Sequence, residues 1–170
     1  MNTQAWNVGG TTRKNVLLLE DDPELAASLA ELLELYSCKV TRVANGIDGL
    51  RQIIFVDYDL VLCDLVMPHF PGDKFYRAVE RVRPRLCKRF LFMTGHGSDP
   101  KWDAFIREIG GAILWKPFQF SELWTAIRTV LKKARSAAEA AHDQTPSLLP
   151  ATGPGSTPKP ALTVMSPAWA

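Results

Sequence analysis

No apolar run in the chain approaches the length that spans a bilayer, so no transmembrane helix is expected. Cysteine is scarce and scattered. Cys38, Cys63 and Cys87 form no CxxC pair and no His/Cys spacing, which removes a zinc site and a redox pair from consideration. Such a set fits a reducing cytoplasm better than a disulfide framework. Cys63 lies inside an apolar run and reads as a small buried side chain. A dominant charge is also missing. The formal net charge of +2 gives no case for nucleic acid or an anionic membrane as partner. Arg81, Arg83, Arg85, Lys88 and Arg89 do cluster, and they read as a solvated helix end and loop. The segment Met1–Lys14 is polar and has no apolar signal-peptide core. A soluble chain of 170 residues with 46% hydrophobic residues is expected to form one domain, with or without an appendage.

What is present is an alternation of short apolar runs and amphipathic segments over residues 15–141. Val16–Glu20, Val40–Val43, Leu60–Cys63, Phe90–Met93 and Ala112–Trp115 read as buried strands, being short and continuous. Between them lie helical patterns. Asp22-Pro23 opens the first, with Asp22 as cap and Leu25, Leu29, Leu32 and Leu33 on one face. Asn45-Gly46 marks a turn before a second, carried by Ile47, Leu50, Ile53 and Ile54. Phe75–Val82 is a third, ended before Pro84, and Pro100–Glu108 a fourth, with Gly110-Gly111 past its end. Ser121 is expected to cap a fifth, carrying Leu123, Trp124, Ile127, Val130 and Leu131. Repeated strand–helix units predict an α/β fold, a parallel sheet with helices on both faces. Residues 1–14 read as a flexible segment, and 142–170, broken by Pro146, Pro150, Pro154, Pro158, Pro160 and Pro167, as a disordered tail.

Three polar runs follow three of these strands: Glu20-Asp21-Asp22, then Asp64, then Lys116-Pro117. In a parallel sheet they meet at one edge, the carboxyl end where such folds bind ligands. Carboxylates held a few ångströms apart repel and raise one another's pKa, and a hard divalent cation relieves the repulsion. Mg²⁺ suits one or two carboxylates and leaves room for a phosphate oxygen. Asp64 is the candidate nucleophile, since a carboxylate can hold a phosphoryl group as an acyl phosphate. Lys116 would pair phosphoryl oxygens as a point charge, and Thr94, after the fourth strand, could offer its hydroxyl.

Glu20-Asp21, Asp64 with Met67-Pro68 and Gly72 behind it, Thr94-Gly95 and Lys116-Pro117-Phe118 together resemble the signature of bacterial response-regulator receiver domains. The resemblance runs from about Asn15 to Ala134, with the motifs in family order. It implies a flavodoxin-like, doubly wound (βα)₅ sheet of strand order 2-1-3-4-5. Asp64 would be the phosphoacceptor. Asp21 and Glu20, with Asp64 and the backbone carbonyl of Val66, would hold Mg²⁺. Thr94 would be the switch hydroxyl and Lys116 the phosphate-binding lysine, followed by a cis peptide bond to Pro117. The donor would be a sensor histidine kinase or a histidine phosphotransfer protein. The output would be a partner face on the fourth helix, fifth strand and fifth helix, through which two copies could also pair. The implied role is a single-domain regulator in the cytoplasm, switching an unidentified protein target rather than acting as an enzyme.

The chain departs from the family pattern at Ile113, where an aromatic or histidine usually stands three residues before the lysine. Val66 is apolar where many relatives carry a polar side chain, and His96 flanks the other side of the site. Trp102 and Trp124 read as core, and Trp115 adjoins the lysine. Two rival readings exist. Asp57-Tyr58-Asp59-Leu60-Val61 matches the DxDx[TV] pattern of haloacid-dehalogenase phosphatases, although its acids precede a strand instead of following one. Alternatively, a receiver-like fold could bind partners without phosphorylation. No second domain or basic recognition helix of a transcription factor is legible.

Overall fold

The computed structural model describes residues 13–95 and 100–143. The flexible segment expected over residues 1–12, His96, and the disordered tail expected from 144 onward lie outside the described residues. In chain order the elements are β1 (Lys14–Leu19), α1 (Pro23–Leu35), β2 (Cys38–Val43), α2 (Gly46–Phe55), β3 (Leu60–Asp64), α3 (Gly72–Val82), a 3-10 turn (Pro84–Arg89), β4 (Phe90–Thr94), α4 (Pro100–Ile109), β5 (Ala112–Trp115) and α5 (Phe120–Asp143). The strands form one parallel sheet of order β2-β1-β3-β4-β5, the expected doubly wound arrangement.

Alternation along each strand divides the core. Val16, Leu18, Leu60, Leu62, Leu91 and Met93 face α1 and α5. Leu17, Leu19, Val61, Cys63, Phe90 and Phe92 face α2, α3 and α4. The second layer is aromatic: Tyr76 stands edge-on to Phe90 and Phe105, at centroid distances of 5.2 and 5.7 Å. Trp102 and Trp124 are buried, as read from the sequence, and Trp115 is 37% exposed.

Asp22 caps α1 as expected, accepting from the backbone N–H groups of Glu24 and Leu25. Ser121 is not the cap of α5. That helix starts earlier, and the Glu122 carboxylate accepts from the Gln119 N–H at 2.7 Å, half of a capping box. The larger correction concerns α2. The sequence pattern puts Ile47, Leu50, Ile53 and Ile54 inward, but only Ile53 is fully buried; Ile47 and Ile54 are 47% and 61% exposed. The helix instead docks through Gly46 and Gly49. A Cβ on Gly46 would sit 2.4 Å from the Phe70 ring, and one on Gly49 2.8 Å from Leu19. Two residues without side chains allow this approach, and the helix is turned so that Ile53 faces the core while Ile47 and Ile54 point outward.

Gly72 fixes how α3 meets the sheet. A Cβ there would lie 2.5 Å from the Asp64 carbonyl oxygen and 3.0 Å from the Leu65 Cα. These are backbone atoms and cannot rotate away. Gly72→Ala should therefore lower unfolding free energy by about 1–3 kcal/mol, the usual range for overpacking. Urea titration checks this, and a loss below about 0.5 kcal/mol would show that the approach can relax.

Candidate functional site

The site stands at the carboxyl edge because parallel strands end there together. Glu20 directly follows β1, and its N–H donates to the Val43 carbonyl at 3.1 Å, extending the sheet by one bond. Asp64 is the last residue of β3 and pairs in register with Met93. Thr94 ends β4, is fully buried, and accepts at its backbone carbonyl from the Lys116 N–H at 2.7 Å. The loop after Asp64 is anchored by Met67, buried among the aromatics, and by the Leu65 N–H bonded to the Met93 carbonyl.

Side chains close the constellation. The Lys116 ammonium donates to Asp64 Oδ2 at 2.5 Å and to Glu20 Oε2 at 2.7 Å. Asp64 Oδ1 accepts from the Val66 N–H at 2.8 Å. The carboxylates of Glu20 and Asp64 are 1% and 8% exposed, while Asp21 is open to solvent. The peptide between Lys116 and Pro117 is cis. Every residue proposed for the site from the sequence thus lies at this edge, with Val66 exposed beside it.

The electrostatics follow from burial. Desolvation pushes the Glu20 carboxyl above its ordinary 4.5, aided by the Asp64 charge and opposed by the hydrogen bond from Lys116. For Lys116, burial disfavours the charged form, but hydrogen bonds to Asp64 and Glu20 outweigh it and hold the pKa above 10.5. One ammonium thus balances part of the charge of two buried acids.

The donor set fits a hard divalent cation. Glu20, Asp21 and Asp64 each offer a carboxylate oxygen, and these atoms lie within 4.8 Å of one another. They combine two enclosed donors with one reached from solvent, which suits an ion that keeps some of its waters.

Ile113, three residues before the lysine, is half-buried and packs against the cluster that holds Phe92 and Trp102. Its aliphatic side chain lies against the core, where the expected family pattern has a ring with a polar tip. The DxDx[TV] match falls at the opposite edge. Asp57 pairs with Arg83, and Asp59 with Lys14 at 3.0 Å, both ahead of β3 at its amino end. Those acids are held in surface ion pairs, away from the Asp64 constellation. The sequence reading missed these pairs, since nothing in local spacing signals a contact across 26 or 45 residues.

Comparison with known proteins is consistent with this geometry. Residues 16–128 match the model of the response regulator receiver domain. The chain is similar to the response regulator receiver protein CpdR of Brucella abortus, 30% identical over 121 residues, covering 69% of this chain and 97% of that protein. It is also similar to the transcription factor SKN7 of Candida albicans, 30% identical over 116 residues, or 66% of this chain. The transcriptional regulatory protein GlrR of Escherichia coli is 29% identical over 125 residues, 74% of this chain. The chain spans only 20% of the length of SKN7 and 28% of GlrR. In fold it resembles a CheY-like receiver domain protein from Methanospirillum hungatei, with a TM-score of 0.68 at 23% identity, covering 74% of this chain and 99% of that one.

The raised pKa of Glu20 has a sign that can be tested. The folded state holds this proton more tightly than the unfolded chain does. Its contribution to stability is therefore present below pH 4.5 and lost as pH rises through the folded value. Subtracting the urea stability of Glu20→Gln from that of wild type, both in EDTA, should give a difference that falls over this window. A difference that is flat or rises with pH would contradict the assignment. Lys116 acts at the other end, stabilising below 10.5 and losing that effect as pH climbs through its own raised value.

Proposed function

This chain belongs to the response regulator receiver domain family, and on that footing we propose that it takes a phosphoryl group on Asp64 from a phosphohistidine. Receiver domains are phosphoryl-accepting signalling modules of two-component systems, and the observation that carries the specific reading is the Lys116 ammonium held on both Asp64 and Glu20. A structural scaffold has no use for two buried carboxylates and a lysine at one strand edge, since burying them is costly.

The chemistry follows from what each side chain can do. An Asp64 carboxylate oxygen forms the new bond to phosphorus while the bond to the donor imidazole nitrogen breaks, giving an acyl phosphate and a neutral imidazole once a proton is taken up. The Val66 N–H fixes the other carboxylate oxygen and so sets the direction of attack. Lys116 follows the charge, moving from carboxylate to phosphoryl oxygen as a point charge on a flexible stem. Thr94 would supply a hydroxyl to a phosphoryl oxygen. Glu20, Asp21, Asp64 and the Val66 carbonyl would hold Mg²⁺, which when bound offsets the negative charge shared by the acids and the phosphoryl group. The donor would be a sensor histidine kinase or a histidine phosphotransfer protein. The acyl phosphate acts by favouring one of two arrangements near β4 and α4, so that a partner is bound differently. With Ile113 packed against the core, the signal would run through the backbone at Thr94–Gly95 and not through a swinging aromatic ring. The compartment would be the cytoplasm; no helix among the described residues is long and apolar enough to cross a membrane.

Incubation with Mg²⁺ and acetyl phosphate should retard the wild-type protein on a phosphate-affinity gel and leave Asp64→Asn unshifted. A shift that survives the substitution would remove Asp64 as acceptor. No shift with either acetyl phosphate or a phosphorylated histidine donor would favour a binding module that works without phosphorylation.

Mg²⁺ alone provides a second test. At a hundredfold its Kd the ion should add about 2.7 kcal/mol to the unfolding free energy. Asp21→Ala should weaken the apparent affinity at least about tenfold, about 1.4 kcal/mol. Equal stabilisation of wild type and Asp21→Ala, read by thermal melting, would place the ion elsewhere.

A further inference from the structure

The edge of the sheet opposite the proposed site carries an apolar corner with a basic border. Because α2 docks through its glycines, its last turn projects outward: Ile54 is 61% exposed and Phe55 85%. Val82, at the end of α3, is 62% exposed. Arg83 binds the two helix ends together, pairing with Asp57 and donating to the Ile54 carbonyl at 3.2 Å. Beside them runs a groove of about 580 Å³ lined by Tyr58, Val82, Pro84 and Leu86, with Arg83, Arg85 and Arg89 against the single acid Asp57. Arg89 is fixed by the Tyr58 carbonyl at 2.8 Å, and Arg85 is exposed with no ion pair among the described residues. Arg83 and Arg89, at the two ends of the 3-10 turn, are therefore held in place, and Arg85 between them is open to a partner.

Exposed apolar side chains at one corner mark a contact surface when a polar rim surrounds them. Aromatic and arginine residues are the types that dominate binding energy at such surfaces. Charge decides among occupants. A second copy placing the same corner face to face would oppose arginines with arginines. Residues 144–170 contain no aspartate or glutamate and one lysine, so the chain's own tail offers nothing to match the border. We propose that this corner docks an acidic segment of a partner protein, one that lays apolar side chains over Ile54, Phe55 and Val82 and carboxylates over Arg85 and its neighbours. The corner lies away from Asp64, so the contact is separate from phosphoryl chemistry and would hold the regulator near its partner in either state.

The probe is a helical peptide with leucine and phenylalanine on one face and glutamate on the other, titrated into the full ¹⁵N-labelled chain without Mg²⁺ or phosphoryl donor. Failure here leaves the Asp64 reading untouched. Amide shifts should cluster at Ile54, Phe55, Val82 and Arg85. The Phe55→Ser and Arg85→Glu variants, both at exposed positions, should each weaken binding about tenfold. Raising the salt from about 0.05 M to about 0.5 M should weaken it several-fold, as expected when charges set the contact. Equal binding of a lysine-for-glutamate peptide, or no clustered shifts, would overturn the proposal. So would movement of the corner's signals on removal of residues 144–170 or on dilution, since the occupant would then be the tail or a second copy.

Discussion

The ammonium of Lys116, shared between Glu20 and Asp64, is the interaction on which the carboxyl edge depends. Two carboxylates at the ends of adjacent strands repel, and burial makes the repulsion worse. A lysine from beyond β5 reaches across β4 to both of them. In doing so it joins the edge of the sheet to its centre by side chains as well as by backbone ladders. The same contact couples stability to chemistry. Any group that takes the ammonium's place, or draws it toward a new negative charge, must also restore the balance of the two acids.

The rest of the fold serves that edge by fixing distances. Gly72 lets α3 press against the Asp64 carbonyl, and the Val66 N–H holds one Asp64 oxygen. Met67 pins the intervening loop into the aromatic layer formed by Tyr76, Phe90, Phe92 and Phe105. Ile113 packs on that layer, so the side of the sheet next to the site is filled with closely packed apolar side chains. Close-packed interiors shift between discrete packings and do not deform gradually. A change at Thr94 would thus be passed on through β4 and its neighbours.

Much of this was legible from residue order. Five short apolar runs with polar residues at their ends specify a parallel sheet and bring Glu20, Asp21, Asp64, Thr94 and Lys116 to one edge, since side chains past parallel strand ends share a direction. The capping role of Asp22 also follows from local chemistry alone. Other features were not legible, because they depend on contacts far apart in sequence. The rotation of α2 is decided by Phe70, Phe75 and Leu19 closing on Gly46 and Gly49, which overrides the isoleucine periodicity. The glycine spacing was the available signal. The basic cluster reads as a solvated loop until Arg83 and Arg89 are seen bound to the connection between α2 and β3. The start of α5 moved because Glu122 reaches back to Gln119, a local signal that Ser121 obscured.

The two ends of the sheet are built on different chemistry, acids balanced by one lysine at the carboxyl edge and exposed apolar side chains bordered by arginines at the other. The central claim concerns the first. Borohydride reduction of the protein after treatment with acetyl phosphate and Mg²⁺ converts an aspartyl phosphate to homoserine, and peptide mass spectrometry locates it. The prediction is homoserine at position 64 and at no other acidic residue. Homoserine at Glu20's neighbour Asp21, or phosphorylated protein with Asp64 unchanged, would contradict the role given to Asp64.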